Sequence, residues 1–172
     1  MWKNSKLVKQ MKIIEGNLDL DRLHLKELPE ILSAVDKIDG YFSVSDNRIS
    51  SLKNCPRIIG ESVYFSYNEK LKNLVGGPEI VGKNYGVTGC KELTSLQGIP
   101  NIIPGNLQIS SNYKLVDFTY FPKKIGGDLE VGHYLGGTRK FPKEFTVDFF
   151  RSICDIGGKV KIYRWMDFLW LN

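Results

Sequence analysis

The side chains able to carry chemistry here are few: two histidines, His24 and His133, three cysteines, Cys55, Cys90 and Cys154, and the alternating carboxylates Asp19/Asp21 and Asp128/Glu130. A histidine near a carboxylate would support general acid–base work, and a cysteine near a histidine would give a thiolate nucleophile. The spacings form neither. The histidines lie far apart in the chain, and the cysteines are an odd number at no metal or redox spacing. No H-E-x-x-H, G-x-S-x-G or Walker pattern occurs. Acids in alternation are what a strand with one solvated face carries without catalysis. One further candidate is "LVGGPEIVG", residues 74–82, whose glycines could cradle a phosphate. A phosphate loop occurs once, opens a helix, and is followed by a lysine and a hydroxyl.

The surroundings of that stretch decide against a phosphate loop. Pro56, Pro78, Pro100 and Pro122 stand 22 residues apart. Four residues before each proline are Leu52, Leu74, Leu96 and Phe118, and seven before are Ile49, Leu71, Leu93 and Leu115. Several columns holding one period identify a repeat protein. Each repeat opens with an apolar pair separated by one residue: Leu18/Leu20, Phe42/Val44, Val63/Phe65, Tyr85/Val87, Leu107/Ile109 and Leu129/Val131. Such pairs share one face of a short strand. A glycine precedes each (Gly16, Gly40, Gly60, Gly82, Gly105, Gly127), and Val160/Ile162 open a late further copy. The glycines of residues 74–82 therefore recur and lead into strands. Gly76 matches Gly98 as a turn position suited to positive φ.

After each strand comes Asn47, Asn68, Cys90 or Asn112. Beside a turn, a side-chain amide there can satisfy backbone groups of neighbouring coils. With "FSVSDNRISSL" (42–52) and "LHLKELPEIL" (23–32), the chain resembles leucine-rich-repeat solenoids, particularly short-repeat versions in bacteria and tailed bacteriophages. The likeness covers about residues 16–131, with weaker traces to 163. Repeats containing "NEKL", "CKEL" and "NYKL" carry one residue more than the usual spacing. The resemblance implies an α/β repeat solenoid, a parallel β-sheet stack of about six to seven coils, with a concave face that binds proteins. It also implies a small protein that binds and modulates a host factor, a defence protein among them.

Stacked coils need terminal caps. Residues 1–15 are the expected N-terminal cap, a helix with Leu7, Val8, Met11 and Ile14 on one side and lysines opposite, although Ile13 also admits a strand over 12–15. Residues 16–137 are the expected solenoid. Residues 138–172 are the expected C-terminal cap: a helix over 138–156 starting at Thr138 or Phe141-Pro142, with Phe145, Phe149, Phe150 and Ile153 as its apolar stripe, then a final strand and an aromatic tail. Trp165, Phe168 and Trp170 in that tail either seal the last coil or form an exposed patch.

Net charge is +5, with +4 in residues 1–12 and +3 in residues 121–172, so the middle is near −2. That is not the uniformly basic surface of a nucleic-acid binder. Lys3, Lys6, Lys9 and Lys12 break any apolar leader core, and no stretch reaches the ~18 apolar residues of a span. A reduced, cytoplasmic protein is expected, in a bacterial host's cytoplasm if phage-encoded, without cofactor, metal or catalysis.

The remaining surface is the outward sheet face. Its candidate partner-binding residues are Tyr41, Ser43, Ser62, Tyr64, Asn84, Asn106, Gln108, Glu130 and Lys161. Tyr41 and Tyr64 are the expected anchors, since tyrosine contributes contact area at low entropic cost. The expected function is protein binding. The alternatives are nucleic-acid or anionic-surface binding through the lysine-rich ends, and self-association through the ends.

Overall fold

The computed structural model describes residues 11–133 and 141–164. They form a parallel β-solenoid of about five turns at roughly 22-residue spacing. Its long sheet has seven strands, Leu18–Asp19, Phe42–Ser43, Val63–Tyr64, Tyr85–Gly86, Leu107–Gln108, Leu129–Gly132 and Val160–Tyr163, adjacent in chain order. Leu18, Phe42, Val63, Tyr85, Leu107, Leu129 and Val160 stand in register across it. The expected count of six to seven coils gives way to about five regular turns. The first and last strands flank them at separations of 24 and 31 residues.

The returning side of each turn is also strand. Ile13–Ile14, Lys37–Ile38, Ile58–Ile59 and Ile80–Val81 form one parallel sheet, and Ile102–Ile103, Lys124–Ile125 and Asp155–Ile156 another. The second residue of most of these strands is a buried isoleucine or valine facing the long sheet. β-branched side chains suit this pleated wall, and the segment from proline to glycine is too short for a helix. The α/β class expected from the sequence thus differs from the described residues, which hold one α-helix, Val147–Ile153, and one 3-10 helix, Glu30–Ala34.

Between the two walls lie the repeat columns. Leu52, Leu74 and Leu96 are fully buried, as are Ile49, Leu71 and Leu93, so each adds roughly 1.5–3 kcal/mol of burial. Phe42, Phe65 and Tyr85 step along the axis edge-to-face at 6.0 and 5.9 Å. Gly76 adopts φ +85°, as the turn reading requires, and a Cβ on Gly82 would overlap the Gly60 carbonyl oxygen of the preceding turn. The glycines of residues 74–82 are turn and stacking positions.

Most of the expected N-terminal cap, residues 1–10, lies outside the described part, and Ile13–Ile14 is a strand paired with Lys37–Ile38, the alternative that the sequence admits over 12–15. The helix expected over 138–156 shortens to Val147–Ile153. Thr146, rather than Thr138 or the Phe141-Pro142 pair, caps it, its hydroxyl accepting the Phe149 N–H at 3.1 Å. It stops early because Asp155–Ile156 is drawn into pairing with Lys124–Ile125. Phe118 sits at the centre of an aromatic cluster, with Phe145 at 4.9 Å and Phe150 at 5.1 Å, whereas Ile153 of the expected stripe is exposed.

A buried amide ties neighbouring turns together. Asn112 Oδ1 accepts the Cys90 N–H at 2.8 Å, while its Nδ2 donates to Val87 O at 2.7 Å and Ile109 O at 2.9 Å. Asn47 and Asn68 repeat the arrangement. In the third copy Cys90 substitutes a weak Sγ–H donor, 3.4 Å from Phe65 O. Truncating Asn112 strands a buried N–H and removes a donor from two carbonyls. Asn112→Ala should therefore lower unfolding stability by about 3 kcal/mol, read in a urea titration as a lower midpoint at unchanged slope.

Candidate functional site

The outward face of the long sheet carries the in-register series Asp19, Ser43, Tyr64, Gly86, Gln108, Glu130 and Lys161. Strand alternation puts these residues, and those two positions either side, on one surface. Much of its polarity is spent between turns. Asn17 Oδ1 accepts the Tyr41 N–H at 3.0 Å, and Ser62 Oγ accepts the Asn84 N–H at 3.2 Å. Asn84 and Asn106 Oδ1 each accept the next turn's N–H at 2.8 Å. Asp128 continues the ladder by accepting the Lys159 N–H at 2.8 Å.

The expected partner-binding residues consequently fall into groups. Ser43 and Ser62 are buried, Ser43 donating to Asp21 at 2.6 Å, so they offer little to a partner. Asn84 and Asn106 have their side-chain oxygens committed within the fold, which turns each Nδ2 into the group left to donate. Glu130 is held by Lys161 at 3.0 Å and approached by Gln108 Nε2 at 3.4 Å. Lys161 also meets Asp128 at 3.1 Å. Hydrogen bonds donated to Glu130 and Asp128 raise the Lys161 ammonium above its ordinary value, and the Lys159 N–H, then Lys161, hold the Asp128 carboxyl below its own.

Tyr41 and Tyr64 remain. Both are half-buried, two positions apart along the strand direction in neighbouring turns, and neither hydroxyl has a hydrogen-bond partner among the described residues. Tyr64 is seated by its neighbour: a Cβ on Gly86 would come within 2.7 Å of the Tyr64 ring, and within 3.7 Å of Gln108 Oε1. Gly86 leaves a step in the face into which the ring folds. Trp165, Phe168 and Trp170 lie outside the described residues.

The outward-column reading missed the turn that ends each strand. Arg22, Asp46, Tyr67, Gly89 and Ser111 stand in one column, and all have positive φ. The single glycine in that column was the available signal. A left-handed position is disguised where other repeats fill it with side chains.

The cysteines are not poised for chemistry. Cys90 and Cys154 are buried and Cys55 half-buried, and all three are free thiols. Burial pushes the Cys55 thiol up and the Cys90 thiol up to about 12. For Cys154, burial and then the Asp155 charge push it up to about 11. A nucleophilic cysteine needs the opposite shift. His24 is exposed at the first turn and His133 is buried beside Tyr113 and Phe141.

Neither a family model, nor a curated protein, nor a solved structure matches this chain.

The thiol shifts make stability depend on alkaline pH. A thiol held neutral in the fold and titrating near 8.5 when unfolded contributes fully below that pH, and the contribution is lost as pH rises toward the folded value. Unfolding free energy should fall from about pH 9 upward, by up to about 1.4 kcal/mol per pH unit for each such group, read as a falling thermal midpoint. Cys90→Ala should show a shallower fall than the parent over the same pH series.

Proposed function

We propose that this chain is a non-catalytic protein-binding module that works through the outward face of its long sheet, with Tyr41 and Tyr64 as anchors. The observation that carries the reading is the contrast on that face. Serines, amides and acids are engaged between turns, while two adjacent-turn tyrosines keep free hydroxyls and part of their rings in solvent. Rigid aromatic rings on a preformed surface are what an interface hot spot uses. The preformed sheet adds little ordering cost on binding.

The likeness to short leucine-rich repeats supports a protein as the partner, and its bacteriophage versions support a host factor, including a defence protein, in the bacterial cytoplasm. Binding of nucleic acid is the weaker reading. Lys161, the one cation of the outward column, is paired twice with acids. A phosphate backbone would need several uncompensated cations along its path.

Affinity capture from a bacterial lysate at low and high salt, with the parent and Tyr41→Ala/Tyr64→Ala side by side, tests this. A protein retained at high salt by the parent and lost with the variant is the expected outcome, provided both show the same circular-dichroism melt. Nucleic acid recovered at low salt alone, equally by both, would overturn the reading.

A further inference from the structure

Where the strands of the long sheet end, two adjoining cavities that share Tyr67 and Glu69 make a groove between the turns of Arg22 and Tyr113. The left-handed column lies at its base: Arg22 at φ 57°, Asp46 at 57°, Tyr67 at 56°, Gly89 at 71° and Ser111 at 59°. This turn needs a backbone conformation that glycine adopts freely and that a bulky side chain adopts at a cost in stability. Gly89 shows that the turn closes with glycine. Arg22 and Asp46 recover part of the cost by pairing at 3.1 Å.

Tyr67 has no comparable compensation. Its ring lies against Gly89, where a Cβ would come within 2.7 Å, yet the residue is 58% exposed. For folding alone, glycine would serve better at this position. The ring also stands between two cavities that it lines in common, one of about 710 Å³ toward the earlier turns and one of about 420 Å³ toward Tyr113. In the walls, Arg22–Asp46 and Lys91–Glu69 are paired and neutral. Arg48 and Lys70 line the larger cavity and have no ion-pair partner among the described residues. An exposed aromatic ring with two uncompensated cations beside it is a recognition surface, not a folding device.

The geometry points to this groove as the binding site for an acidic peptide segment, its carboxylates on Arg48 and Lys70 and a flat side chain on Tyr67. With Asp46 and Glu69 neutralised by Arg22 and Lys91, Arg48 and Lys70 are left to meet carboxylates and are too few to track a phosphate backbone. The inference rests on the protein-binding reading for the class of partner and uses a surface distinct from Tyr41 and Tyr64.

The test uses the full chain and a fluorescein-labelled peptide, Glu-Glu-Tyr-Glu-Glu, followed by anisotropy and by amide shifts in nuclear magnetic resonance. The peptide should move the amides of residues 46–48, 67–70 and 89. Arg48→Glu/Lys70→Glu should weaken it by about tenfold or more. Tyr67→Gly should weaken it while leaving Tm unchanged or higher, a pairing that a merely structural tyrosine would not show. Tyr41→Ala/Tyr64→Ala should leave peptide affinity unchanged, so that loss of partner capture and loss of peptide binding are read separately. The inference is overturned if the peptide at millimolar concentration leaves those amides unmoved, if either rim variant binds it as the parent does, if Tyr67→Gly lowers Tm, or if an oligothymidine occupies the same amides more tightly.

Discussion

Among the described residues, the strand backbone of each turn is satisfied by its neighbours and not by the turn itself. The strands are mostly two residues long, and their N–H and C=O groups pair with the turn before and the turn after, as in Phe42 N to Ser62 O and Val63 N to Asn84 O. An isolated turn would expose nearly all of these groups together with its apolar wall, so stability is a property of the stack. The in-register pairing fixes everything else: which residues face inward, where each leucine meets the next, and which side chains share the outer surface.

Side chains reinforce the same constraint from both ends of each strand. Ahead of the strand, Asn84, Asn106 and Asp128 each hand an oxygen to the following turn's N–H. Behind it, Asn47, Asn68 and Asn112 bridge backward and sideways. On the exposed surface the ion pairs Glu61–Lys83 and Glu92–Lys114 again join residues one period apart. Exposed pairs of this kind contribute little energy each, so the buried amides and the leucine columns hold the stack, and the surface charges favour its register.

The repeat could be read directly from residue order because its columns are apolar and held at one spacing: Leu52, Leu74, Leu96 and Phe118 require no knowledge of their surroundings. The return strands were less visible. Ile58–Ile59 and Ile80–Val81 are too short to display a period of two, so nothing distinguished them from the start of a helix. The outer face was half legible. Its membership followed from strand alternation, but the engagement of Asn84 and Asn106 did not, because each acceptor serves an N–H a full turn away. The rim around Tyr67 escaped for another reason, since positive φ is written into a sequence only where glycine occupies it. The C-terminal helix was overextended because the pull of Asp155–Ile156 toward the return sheet comes from pairing, not from local propensity.

The last strand shows what this construction tolerates. Val160 pairs with Leu129 in register although 31 residues separate neighbouring positions here, against 22 in the regular turns. Closing the longer loop costs only about 0.3 kcal/mol more in chain entropy, because the penalty grows with the logarithm of length. A solenoid of this kind can therefore gain or lose a loop at one seam without retuning the rest. The first turn, at 24 residues, shows the same tolerance at the opposite end of the sheet, so a loop can lengthen at either end while the register holds.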